Sequence, residues 1–300
     1  MRFFLIPFAT AVALLSGCAV QPAFKPMPAA AVQKVKNSDI EVLISQKELN
    51  ASINNSNLTA AAGGGLLFAL IDTAVNNSRE DDAQHLIVPL RNALLDYSFN
   101  DQAMEAVKRE TGNISWIAEK NVMLLTKVTN QNVEKAIAES KKDVFTTIAF
   151  AYELSPDMKT ITVIGHANAF PNTDELKALQ LSLYQGTSKV NDPSAMKTLM
   201  VNSIYRDRVV FHETLPGDIK DRSAAIALWS ANGGELARKA LDHGVDVVAS
   251  LLARDFIAAN TPVVAGAISK QPDAFLTDID GQKMSATRDK LGSLVVVVVK

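Results

Sequence analysis

The sequence predicts an α+β fold in which helices pack on a mostly antiparallel sheet. Three observations carry that reading. Residues 144–169 alternate with a period of two on either side of a turn; amphipathic stretches with capping residues flank this pair; and strand-like and helix-like segments interleave without a repeat. At 300 residues, 48% hydrophobic and 21% charged, the chain can bury a core without cross-links. The same composition excludes a disordered, collagen-like or disulfide-scaffold protein. A formal net charge of −2 leaves no global field to hold nucleic acid.

Taken in order, Ile40–Ile44 reads as the first strand. Residues Ala83–Asp96 place Leu86, Leu90, Ala93 and Leu94 on one helical face, with Pro89 kinking or restarting the helix. Asn100 is the expected cap of the next helix, with Phe99 and Met104 at staple spacing and Gly112 at its end. Val122–Val128 reads as a buried strand and Gln131–Lys142 as an amphipathic helix.

In the hairpin, Val144, Thr146, Ile148, Phe150 and Tyr152 alternate with the residues between them. Ser155-Pro156-Asp157-Met158-Lys159 supplies the turn, and Thr160–Ala169 returns. Asn172 and Glu175 have capping-box spacing ahead of Leu176, Leu179 and Leu183. Ile204–Thr214 reads as a strand. Helices follow at Ile219–Ala231 and Glu235–Ile257, split by Gly233-Gly234, and tail strands at Ala274–Ile279 and Leu294–Val299. Val295–Val299 is so β-prone that it should be a covered interior strand, with strand addition to a partner as the alternative. Trp116, Trp229, Leu236, Ala240, Val248, Leu251 and Leu252 are expected core residues.

The first residues have a different character. Arg2 precedes thirteen uncharged residues, Phe3–Leu15, and then Ser16-Gly17, the pattern of a secretory signal. The run is shorter than the roughly 20 apolar residues of a membrane span. Leu15-Ser16-Gly17-Cys18 resembles the lipobox of bacterial lipoproteins. The resemblance implies that residues 1–17 are removed and that Cys18 carries a diacylglyceryl group and an acylated amino terminus. The membrane, through that lipid, is then the first partner. Ala19 rather than Asp after the cysteine implies the outer membrane, with the body in the periplasm. Cys18 is the only cysteine, so no intramolecular disulfide can form. Two or more acyl chains anchor a protein stably where one does not.

Residues 18–37 hold Pro22, Pro26 and Pro28 and read as an extended spacer. Residues 38–170 read as an α/β module, and 171–300 as a helix-rich continuation with C-terminal strands, either a second unit or part of one domain. The element order over about 40–170 is similar to small α/β modules of other envelope lipoproteins, such as the curli secretion lipoprotein and the amino-terminal domain of the Tol-system periplasmic protein.

Signals for chemistry are sparse. Ser194-Ala195-Met196-Lys197 matches the S-x-x-K nucleophile motif, in which one helical turn sets an amine beside a hydroxyl. Twenty Ser and twenty Lys make about one such pair expected by chance, and S-D-N and K-T-G companions are absent. His85, His166, His212 and His243 are widely spaced and form no H-E-x-x-H, so no metal site is expected. Asp278-Ile279-Asp280-Gly281 starts like a calcium loop, but Gln282 and Lys283 break the pattern, and a hairpin turn is the simpler reading. Gly63-Gly64-Gly65 is followed by Leu66-Leu67 rather than Lys-Ser/Thr, which excludes a Walker loop; Ala60–Val75 reads as a buried helix, with a partner or membrane contact as the alternative. No cofactor is indicated. The expectation is an outer-membrane lipoprotein acting through contacts with envelope proteins, in envelope maintenance or as an accessory of a secretion or transport assembly. The alternatives are an envelope hydrolase using Ser194 and Lys197, and a small-molecule or lipid carrier.

Overall fold

A computed structural model describes residues 24–52, 78–183, 202–258, 274–277, 283–290 and 292–298. In chain order the elements are α1 (Ala29–Val32), β1 (Asn37–Leu43), β2 (Asn50–Ala51), α2 (Ser78–Leu86), α3 (Val88–Ala93), α4 (Phe99–Gly112), β3 (Glu119–Leu125), α5 (Asn130–Glu139), β4 (Val144–Leu154), β5 (Thr160–Pro171), α6 (Asp174–Leu183), β6 (Tyr205–Thr214), α7 (Arg222–Ile257), β7 (Ala274–Thr277), β8 (Lys283–Arg288) and β9 (Leu294–Val298). The fold is α+β. One mixed sheet runs β3-β1-β4-β5-β6-β9-β8-β7, with β2 paired to the end of β4. Its two longest ladders, β4–β5 and β5–β6, are antiparallel, whereas β1 lies parallel to β3 and β4, and β6 parallel to β9. The β5–β6 ladder joins the stretches before and after residue 170 in a single sheet.

The hairpin forms where the period of two placed it, and both faces of its strands are largely buried. On the first face lie Phe150, Val163, Gly165, Val209 and Phe211, and α7 packs on them closely. A methyl group on Gly165 would sit 2.2 Å from Val248, and one on Gly244 would sit 2.5 Å from Val163, so only glycine permits this helix–sheet distance. α4 is lashed to α7 by Tyr97 Oη donating to Asp242 (2.7 Å), just ahead of the helix, and by the Arg109–Asp246 pair (2.8 Å). α7 breaks at Ala231–Gly234, where Asn232, Gly233 and Gly234 take φ of 52°, 68° and 78°. This is the predicted division between two helical segments, and Gly234 there rests against Ala93 and Leu94.

Several boundaries differ from the expectation, each for a local reason. Ser98, not Asn100, caps α4, its hydroxyl accepting from the Asp101 amide, and Phe99 is freed to stack on Tyr152 with ring centroids 4.0 Å apart. Thr173 rather than Asn172 accepts from the Leu176 amide at the start of α6. Pro89 restarts the helix, one of the two expected outcomes, and occupies the first turn of α3, where its missing N–H costs nothing. The apolar run near Leu124 is an edge strand ending at Leu125, so Met123 is exposed rather than buried. β8 is the return strand that the hairpin reading of Asp280-Gly281 calls for, and it separates β7 from β9. β9 is paired on both sides, which confirms an interior strand and overturns strand addition to a partner. Trp229 is buried, donating to the Met158 carbonyl (2.9 Å); Trp116 is half-buried against Phe256, and Leu236 is exposed.

The largest correction concerns residues 24–36. They form a docked strap instead of an extended spacer. Lys25 and Arg206 exchange backbone hydrogen bonds of 2.7 and 2.9 Å at the start of β6. Met27, Ala31 and Val35, spaced by four, are buried in the main core. The strap then reaches β1, where the Lys36 amide donates to the Asp143 carboxylate (2.8 Å) and the Asp143 amide to Asn37 Oδ1 (2.7 Å). In sheet order it passes beneath the ends of β5 and β4. The signal segment with Cys18, Ala60–Val75, Ser194, Lys197 and the Asp280-Gly281 turn lie outside the described residues. Among the described residues, no helix is long and apolar enough to cross a membrane.

Candidate functional site

Two polar constellations are built into the sheet beside the strap. The first lies on the face that α7 covers. Arg288 at the end of β8 donates to Asp207 on β6 (3.0 Å), to the Gly292 carbonyl (2.8 Å) and to Asp255 near the end of α7, all three side chains being buried. The Phe24 ring covers the guanidinium, 3.9 Å from its centre. Burial pushes the Asp207 carboxyl far above the usual carboxylate range, against the pull of Arg288 and with a further push from Asp255. A protonated Asp207 leaves one carboxylate facing one guanidinium, which is the charge balance a dry interior requires. The triad joins three elements distant in sequence, and the strap closes over it. Burial, and secondarily Arg206, pushes the Lys25 amine down to about 7, and that amine donates to the Ser203 carbonyl.

The second constellation lies on the opposite face. Register aligns Glu153, Thr162 and His212 in one row across β4, β5 and β6, and pairs His166 with Arg208 and Asn168 with Arg206. The Thr162 hydroxyl is 3.0 Å from His212 Nδ1, the Asn168 amide is 3.3 Å from His166 Nδ1, and Arg208 donates to Ser293 Oγ (3.0 Å). His166 is fully enclosed. Burial first, then the two arginines, push its imidazole down to about 3, so it stands neutral and accepts from the Asn168 amide. Burial also lowers His212, and raises Glu153 against the pull of Arg208. This face thus carries guanidinium, imidazole and hydroxyl groups that are largely buried and bonded to one another. α5 covers the adjoining apolar patch around Leu43 and Ala149.

An apolar cleft lies between α4, α7 and the first face, lined by Val107, Ile114, Tyr205, Leu252 and Phe256 among others. It has room for little more than a water molecule.

Of the residues singled out by sequence, Cys18, Ser194 and Lys197 lie outside the described part. The four histidines stand apart: His85 is exposed on α2, His166 is enclosed, His212 faces Thr162, and His243 sits 3.2 Å from Glu213 against the Phe211 ring. No group of His, Cys, Asp or Glu among the described residues could hold a metal ion. Sequence reasoning missed Lys25, Asp207, Asp255 and Arg288. It also missed Arg206, Arg208 and Asn168, although the spacing by two of Arg206 and Arg208, and of Asn168 and the already noted His166, was a readable signal. No protein-family model matches the chain, and no curated protein matches it.

Proposed function

We propose that this chain is a lipid-anchored protein of the bacterial envelope. It is exported on residues 1–17, acylated at Cys18 and held at the outer membrane with its body in the periplasm. There it acts through contacts with envelope proteins, in maintenance or as an accessory of a secretion or transport assembly. The observation that carries the reading is Leu15-Ser16-Gly17-Cys18 directly after thirteen uncharged residues. The strap adds support, because an anchored amino terminus needs a firm mechanical junction with the body. Phe24 and Lys25 form such a junction at β6, backed by the buried Met27, Ala31 and Val35.

Fractionation of wild type and Cys18→Ser tests it. The wild type is expected in the membrane fraction with acyl mass on an amino-terminal cysteine, and the variant in the soluble fraction. Unchanged fractionation without acyl mass overturns the proposal. Crosslinking in intact cells then identifies the contacts, and a serine-reactive probe that labels the protein only when Ser194 is present would replace them with the hydrolase alternative.

A further inference from the structure

Strand addition, overturned at β9, has a site at the other end of the sheet. β3 pairs with β1 over all seven of its residues in unbroken parallel register, and among the described residues no strand pairs with its outer side. A strand residue turns its N–H and C=O to one side, and the next residue turns its pair to the other. The Glu119 amide donates inward to the Lys36 carbonyl (3.3 Å), and the Leu125 carbonyl accepts from the Ile44 amide (3.2 Å). Lys120, Val122 and Leu124, which alternate with these inward residues, therefore point their backbone groups outward.

The usual guards of an edge are missing here. β3 has no proline, glycine or bulge, and its charges stand at its first two residues. Both are engaged: Glu119 pairs with Lys142 (2.8 Å), and the Lys120 amine donates to the Ile114 carbonyl (2.6 Å). Asn121–Leu125 is left uncharged. Met123 is 39% exposed on the second face, and Val122 and Leu124 are half-buried against the main core on the first. The opposite edge of the sheet, β7, is only four residues long, a length that is itself a guard.

The edge and the helix above it choose the occupant. A row of outward donors and acceptors is matched by another extended backbone. α4 packs over β3 more than over β1. A second copy pairing its own β3 antiparallel would bring its α4 over the adjoining strand, about 4.8 Å away. Packed helices need about 8–10 Å. A single extended segment brings no helix with it. We infer that the outer edge of β3 docks an extended segment of a partner protein, free of proline and apolar at alternate positions. Those apolar side chains continue the row of Val122 and Leu124 on the first face, while the segment's backbone bonds to Lys120, Val122 and Leu124. The inference rests on the reading above that the chain works through protein contacts; it does not depend on the lipid.

The full chain, held in detergent micelles, is screened against a phage-displayed library of random dodecapeptides. Enriched peptides are expected to alternate apolar and polar residues. One such peptide, synthesised and bound, should slow hydrogen exchange at the Lys120, Val122 and Leu124 amides about ten-fold or more. Val122→Pro removes an outward N–H while sparing the bonds to β1, and should weaken the peptide about ten-fold or more. Val122→Thr keeps the N–H and should bind as the wild type does. The exchange measurement needs no variant, so it decides the matter where Val122→Pro fails to fold. Three results overturn the proposal: no enrichment over a control protein, protection confined to other amides, or equal affinity for a folded Val122→Pro. A dimer of the chain that Val122→Pro dissolves gives the edge to a second copy and also overturns it. Crosslinks in intact cells that are unchanged in a folded Val122→Pro leave the protein contacts standing and overturn this edge alone.

Discussion

The two faces of the central strands come from the same residues in alternation, yet they hold together by different means. The first face presents Phe150, Val163, Val209 and Phe211 to α7, with a single ionic triad at its strap end. The second presents Thr162, His166, Asn168, Arg206 and Arg208. Strand propensity cannot explain the difference, because β-branched and aromatic residues suit either side. What differs is the requirement each interior imposes. The first must fill volume without voids or overlaps, and the second must find partners for most of its buried donors and acceptors. The first is therefore sensitive to added atoms, and the second to lost partners and to protonation.

The comparison can be broken at its weakest point first. Arg288→Met removes the cation that bridges the buried carboxyl groups of Asp207 and Asp255 and is expected to cost about 3–5 kcal/mol, read as a lower urea midpoint. A loss below about 1 kcal/mol would mean that the triad is open to water.

Acid should discriminate the faces next. His166 titrates near 6.5 when unfolded and at about 3 when enclosed, so the unfolded chain binds the extra proton between those values. Its contribution to stability is complete above pH 6.5 and is lost as pH falls toward 3, by up to about 5 kcal/mol. His166→Gln should flatten that part of a melting-temperature profile; parallel profiles for the two proteins would refute the assignment.

Overpacking the first face comes third. Gly165→Ala drives a methyl into Val248 and should cost about 1–3 kcal/mol. Gly112→Ala, with nothing within 4 Å of its new methyl, is the control and should be neutral or slightly stabilising. The smallest effect belongs to the surface. Leu95 is 81% exposed, and Leu95→Ser should stay within about 0.5 kcal/mol.

How much of this was legible follows from which forces are local. The hairpin and the break at Gly233-Gly234 could be read because alternation and left-handed glycines act within a few residues. Ser98 displaced Asn100 because two good caps stood two residues apart and packing of Phe99 chose between them. The strap was misread because three prolines outweighed the spacing of Met27, Ala31 and Val35, which is a helical one. The placement of β3 at an edge is invisible in its own residues, since it depends on no strand among the described residues pairing with its outer side. Arg206 and Arg208 showed their spacing in the sequence. The meeting of Asp207, Asp255 and Arg288 could not be read, because it is made by chain closure across three elements.

The location of β9 bears on how the molecule comes into being. It sits between β6 and β8 although everything from α7 to β8 is synthesised before it. Until Leu294–Val298 emerges, the edge of β6 stays unpaired, a template for any other extended chain. The sheet can therefore close only once Leu294–Val298 has been synthesised. A transcript truncated ahead of Leu294 should yield insoluble aggregates in place of a shorter native form.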